Sequence, residues 1–69
     1  MLKKRSLSLA GHATSLALEP EFWAVLERMA AAEKLSLAEL IGRIDDERGA
    51  SLLASACRVR ALAWAMRRP

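Results

Sequence analysis

The sequence predicts a mainly α domain that opens on a short β-strand or hairpin, continues through three helices and pairs with a second copy of itself. Three observations carry this. Two segments near the N-terminus alternate polar and apolar residues, the period of a half-buried strand. Two helix-start signals follow, at Glu19-Pro20-Glu21 and at Ser36-Leu37-Ala38-Glu39. Finally, 54% of the 69 residues are apolar. A chain this short leaves much of its apolar surface exposed when alone, and with Cys57 as its only cysteine it has no disulfide to help. A partner copy is the simplest cover, so the chain is expected to be a homodimer of one domain, residues 1–69.

The alternating segments are Lys4-Arg5-Ser6-Leu7-Ser8-Leu9 and Ala13-Thr14-Ser15-Leu16-Ala17-Leu18. Ala10-Gly11-His12 lies between them, with a glycine free to take positive φ. Two readings stay open. Both segments form a hairpin, or residues 1–12 are a basic arm and only 13–18 form the strand. Either way, parity points Leu7, Leu9, Leu16 and Leu18 inward. Lys4, Ser6, Ser8, Ala13, Ser15 and Ala17 point outward.

The first helix is expected over 20–33. Proline suits its first turn, and Glu19 and Glu21 sit where the macrodipole favours negative charge. Phe22, Leu26, Met29 and Ala30 form its apolar stripe, widened by Trp23. The second helix is expected over 37–48. Ser36 followed three residues later by Glu39 is a capping box. Leu37, Leu40, Ile41 and Ile44 form its apolar face, and Gly49 follows as a stop. Gly42 weakens it by about 1 kcal/mol relative to alanine; a close helix–helix approach there would account for it. The third helix is expected over 51–67, with Ser51 as N-cap. Leu52, Ala56, Val59, Ala63 and Met66 share one stripe, and Leu53, Leu62 and Trp64 widen it. Such a helix wants cover on more than one side.

Charge is uneven. Residues 1–12 carry +3, residues 13–50 carry −4 and residues 51–69 carry +4. Basic ends around an acidic middle suit a polyanionic partner, though short chains also end in solubilising Lys and Arg. Polar Ser6, Ser8, His12 and Thr14 break up any signal-like apolar run behind the basic start, and no apolar run is long enough to span a membrane. The expected location is cytoplasmic.

The stretch Thr14 to Trp23, with Met29-Ala30 and Lys34-Leu35-Ser36-Leu37-Ala38-Glu39-Leu40-Ile41, resembles the ribbon-helix-helix (MetJ/Arc-type) superfamily. Lys4-Arg5-Ser6, Ser8, Gly11-His12, Thr14-Ser15 and Glu19 to Trp23 resemble one short bacterial branch of it, as does Leu53 to Val59. The resemblance implies a homodimer whose strands pair antiparallel across a two-fold axis and enter the DNA major groove. It implies base contacts from outward Ala13, Ser15 and Ala17. It implies a phosphate on the amides of the turn Lys34 to Leu37, where Ser36 and Leu37 open the second helix. It implies a dimer core of Leu16, Leu18, Phe22, Leu26, Leu40, Ile41 and Ile44. Chemically, Ala13 and Ala17 offer only methyl groups, so Ser15 is the one hydrogen-bonding reader. Lys3, Lys4, Arg5, Ser6 and Ser8 are better equipped and join the candidate nucleic-acid-binding set.

Other residues read plainly. His12 suits a turn and Cys57 a buried position. Asp45-Asp46-Glu47 point in different directions and suit a solvated face. Trp23 and Trp64 suit core or dimer packing. Arg58 and Arg60 lie on different sides of a helix, and one is expected to pair with an acid of the middle segment. Arg67 and Arg68 suit a solvated tail. No nucleophile–base pair, metal set or cofactor motif is present, so no enzyme, metal or cofactor is expected. Three functions remain: a DNA-binding transcriptional regulator; a protein-interaction module, antitoxin-like or a co-regulator, that keeps the fold without sequence-specific DNA binding; and, least favoured because the basic segments lack a clean amphipathic partner face, a protein drawn to an anionic membrane surface by its basic ends.

Overall fold

The computed structural model describes residues 1–67. Strands β1 (Lys3–Leu9) and β2 (His12–Leu18) form an antiparallel hairpin, followed by helices α1 (Pro20–Ala32), α2 (Leu37–Glu47) and α3 (Leu53–Arg67). The fold is therefore mainly α, with an N-terminal hairpin and an additional C-terminal helix. Arg68, expected in a solvated tail, lies outside the described residues; Arg67 is exposed.

Of the two readings of residues 1–12, the hairpin is the one adopted. Leu9 faces His12 across the turn Ala10-Gly11, whose φ values are 52° and 82°. Positive φ at both central residues matches the twist of the flanking strands. His12 thus begins β2 rather than sitting in the turn. Both strands of the ribbon come from one chain, where the resemblance implied one strand from each of two copies.

The α1 N-terminus is closed by the Glu19 carbonyl, which accepts from the amides of Phe22 and Trp23 at 3.0 and 3.2 Å. Its C-terminus is a Schellman turn: Leu35 N–H donates to Ala30 O and Lys34 N–H to Ala31 O. Lys34 takes the left-handed position there, with φ 58°. Of the expected α1 stripe, Leu26, Met29 and Ala30 are buried, but Trp23 rather than Phe22 is the core aromatic.

The capping box of α2 is formed in full. Ser36 Oγ accepts from Glu39 N–H at 3.0 Å, and the Glu39 carboxylate accepts from Ser36 N–H at 2.8 Å. Replacing Ser36 with alanine should cost about 1 kcal/mol in urea unfolding, because one orphan amide loses its acceptor. Gly42 does not serve a close helix approach: a Cβ built there meets nothing within 4 Å. Gly42→Ala should therefore raise stability by about 1 kcal/mol, read as a higher urea midpoint.

The chain reverses at Gly49, φ 59°. α3 starts two residues later than expected. Leu52, not Ser51, precedes its first turn and accepts from Ala56 N–H, while the Ser51 carbonyl accepts from Arg48. Its orientation also differs from expectation. Cys57 and Ala61 face the core, while Leu52, Val59, Leu62 and Met66 point to solvent.

The core gathers Leu9, Leu16 and Leu18 from the hairpin with α1, Leu40, Ile41 and Ile44 of α2, and Cys57 and Ala61 of α3. Leu16, Leu18, Leu26, Leu40, Ile41 and Ile44, read from sequence as a dimer core, are thus covered by their own chain; Phe22 is half-buried. The helix α3 supplies much of this cover, and its own outer face is left bare.

Candidate nucleic-acid interface

Strand parity divides the hairpin into two chemically distinct faces. Leu7, Leu9, Thr14, Leu16 and Leu18 turn toward the helices. The other face carries the cross-strand pairs Lys4–Ala17, Ser6–Ser15 and Ser8–Ala13, and it holds no acidic side chain. Because the turn has two residues, Leu9–His12 is a hydrogen-bonded pair and the pairing alternates from there. The three outward pairs are then the non-hydrogen-bonded ones, whose side chains stand closest. The hydroxyls of Ser6 and Ser15 are therefore neighbours. The same alternation turns the backbone amides of Ala13, Ser15 and Ala17 away from β1. Among the described residues, no strand pairs with that edge.

Lys3, Lys4 and Arg5 border one pocket beside Trp23 and Glu27 but are engaged differently. Lys4 is exposed on the outward face, and Lys3 is exposed at the start of β1. Arg5 lies on the inward register. Its guanidinium sits 4.6 Å from the centre of the Trp23 ring and donates to Glu27 Oε2 at 2.9 Å. Trp23 in turn donates from Nε1 to the Lys3 carbonyl at 2.8 Å. Stacking and hydrogen bonds together clamp β1 to α1. Arg5, expected among the DNA-contacting residues, is occupied in holding the ribbon from behind.

The α2 N-terminus also differs from a bare phosphate cradle. Glu39 has its carboxyl held below the usual carboxylate range, first by the Ser36 amide and then by the Ser36 hydroxyl. Two donors of the first turn are thus in use, and a negative charge sits beside them. The amides of Leu37 and Ala38 remain, as helix geometry leaves the first turn without carbonyl partners. Lys34 is exposed just before this turn.

Two long-range ion pairs, of which the sequence anticipates one, tie α3 to Glu19 and to α2. Arg58 Nε donates to Glu19 Oε1 at 2.9 Å and its guanidinium lies over the Phe22 ring at 5.8 Å. The Glu19 carboxyl is held below its ordinary value, first by a backbone hydrogen bond and then by Arg58. Arg60 donates to Glu47. Much of the basic charge of residues 51–69 is therefore answered within the chain. Cys57 is fully buried, and burial foremost, then Asp45, pushes its thiol up to about 11; it stays protonated at neutral pH. Arg48 pairs with Asp45 and closes the turn between α2 and α3. Among the described residues no group of three or more His, Cys, Asp or Glu is placed to hold a metal, and no helix is long and apolar enough to cross a membrane.

Comparison with known proteins agrees with this architecture. The solved structure of an uncharacterized protein from Bordetella pertussis Tohama I is similar, with a TM-score of 0.83 and 41% sequence identity over 96% of the present chain. The chain spans 57% of the length of that protein's chain. Among curated proteins none matches. The ribbon-helix-helix domain family matches residues 2–65, and on that match the chain belongs to the ribbon-helix-helix domain family.

Proposed function

We propose that the chain acts as a homodimeric DNA-binding protein of the cytoplasm, a transcriptional regulator that lays its hairpin in the major groove. The observation that carries this is the outward hairpin face: Lys4, Ser6, Ser8, Ala13, Ser15 and Ala17, without an acid, on a ribbon braced from behind by Trp23 and Arg5. A two-stranded ribbon fits the major groove. Lys4 suits a guanine edge or a phosphate, the serines suit several bases, and the alanines suit thymine methyls. Lys3, Lys34 and the amides of Leu37 and Ala38 supply phosphate contacts at either side. Family membership supports the same reading. Recognition built on two adjacent serines and small side chains is permissive, so affinity rests mainly on phosphates and on DNA shape.

A second reading is a protein-interaction module, antitoxin-like or a co-regulator, with the same fold. The Glu39 carboxylate at the α2 N-terminus favours it, because that charge opposes a phosphate there. Fluorescence anisotropy with labelled duplex DNA separates the two. The regulator binds at low salt and loses affinity steeply as salt rises. No binding to duplex DNA at low salt would leave the interaction module as the function.

A further inference from the structure

We propose that the outer face of α3 docks an amphipathic helix of another protein, one that sets an apolar stripe against α3 and acidic side chains on either side of it. The inference goes beyond both functional readings, since it names a surface and the chemistry of a partner. It holds whether or not the ribbon reads DNA.

The apolar part of the surface is a stripe. Leu52, Val59, Leu62 and Met66 are 77%, 62%, 56% and 76% exposed. Helical spacing puts them on one side of α3, opposite the buried Cys57 and Ala61. Beside the stripe, between α2 and α3, lies a groove of about 220 Å³ bordered by Ile44, Ala56 and Val59. It has room for one large apolar side chain of a partner, the kind of anchor around which a helix-in-groove interface is built.

The charges say which partner. Among its described residues α3 carries Arg58, Arg60 and Arg67 and no acid. Helical spacing sets Arg58 on one flank of the stripe and Arg60 and Arg67 on the other. Arg67 is exposed in the last turn. Arg58 and Arg60 are bound to Glu19 and Glu47, but each through a single nitrogen. A guanidinium has five N–H donors, so an incoming carboxylate shares the arginine without displacing the acid already there. The two side chains are 33% and 41% exposed, which keeps those donors within a partner's reach.

The same charges weigh against two other occupants. A second copy of α3 brings three arginines to face three arginines, with no acid on either helix between them. Like charges set against each other across an interface are costly. An anionic bilayer meets Glu19 and Glu47, which stand beside the arginines and repel headgroups of their own sign. A protein helix avoids both penalties. It places carboxylates at the arginine nitrogens and neutral residues at the acids.

The test uses the intact chain without DNA, so its failure is separate from that of the DNA-binding reading. The probes are two labelled synthetic peptides of about 18 residues, long enough to form helix. Both carry leucine at heptad spacing; one has glutamate on the flanks of that stripe, the other lysine. In fluorescence anisotropy the glutamate peptide should bind at least about 10-fold more tightly than the lysine peptide. Val59→Glu should weaken its binding by about 100-fold, because an unpaired charge then sits in the apolar stripe. Arg67→Glu should weaken it by about 10-fold and strengthen binding of the lysine peptide. Both sites are exposed, so circular dichroism should show unchanged helix. The proposal is overturned if the glutamate peptide does not bind at about 1 mM, or if the two peptides bind alike. It is also overturned if Val59→Glu binds as well as the wild type, since the peptide then sits elsewhere, on Lys3 and Lys4. Two further measurements use no peptide. A light-scattering mass that halves in Val59→Glu would give the face to a second copy. Co-sedimentation with phosphatidylglycerol vesicles that is lost in Val59→Glu would give it to a membrane. Either result removes the partner helix.

Discussion

Leu18→Lys should unfold the protein, and Leu16→Lys should do nearly the same, while Ser15→Lys should leave it folded. The three residues are neighbours in β2, yet Leu18 is 0% exposed, Leu16 is 5% exposed and Ser15 is open to solvent. Among the described residues no polar or charged side chain is buried in the core, so a lysine placed there meets no counter-charge. An unpaired buried ammonium costs several kcal/mol. A core this small rarely supplies more than about 3–5 kcal/mol of net stability. The cost therefore matches or exceeds the reserve, and far-ultraviolet circular dichroism at room temperature should show lost helix for Leu18→Lys. A solvated lysine at position 15 should change stability by less than about 0.5 kcal/mol. It also adds a cation to the outward face, so DNA affinity should rise if the proposed function holds. Equal loss of structure in all three variants would mean that the strand faces are assigned wrongly.

That parity is readable from the sequence because period 2 leaves only two choices, and the leucines pick one. The capping box is readable for a similar reason: Ser36 and Glu39 satisfy each other locally, with no help from distant residues. What the sequence hides depends on long-range partners. α3 is apolar on both sides, so periodicity alone does not say which stripe faces inward. Packing against α1, α2 and β2 buries Cys57 and Ala61 and leaves Leu52, Val59 and Met66 outside; Arg58 to Glu19 and Arg60 to Glu47, across 39 and 13 residues, go with that rotation. Trp23, expected in core or dimer packing, is buried, while Phe22 of the expected stripe is only half-buried, for a related reason. The Trp23 indole reaches the Lys3 carbonyl, which satisfies its N–H and lets the larger ring take the core position. The choice of hairpin over arm turns on Ala10, a residue that gives no hint of positive φ; only Gly11 signals a turn. At the candidate interface, the outward serines and alanines lie where strand parity puts them. The basic residues are divided, and the same parity says why. Lys4 and Arg5 are consecutive in a strand, so their side chains leave it on opposite faces, although both border one pocket beside Trp23 and Glu27.

The division between Lys4 and Arg5 yields the sharpest functional expectation. Lys4→Ala should weaken binding to every duplex alike and flatten the salt dependence, while Arg5→Ala should leave the salt slope unchanged. Each phosphate neutralised releases counterions, and the logarithm of affinity falls by roughly 0.9 per contact for each tenfold rise in salt. A dimer carries Lys4 twice, so its loss should lower the slope by roughly 2. Arg5 is held on the Trp23 ring and on Glu27. Removing it takes away a stacked cation and an exposed ion pair, together about 1 kcal/mol of folding stability. The effect should appear in urea unfolding rather than in counterion release. Titrations of both variants at a series of salt concentrations, under conditions where circular dichroism shows each fully folded, decide the matter. If Arg5→Ala flattens the slope as much as Lys4→Ala does, then Arg5 leaves Trp23 to reach a phosphate. The clamp behind the ribbon would then be a feature of the free protein alone, released when DNA binds.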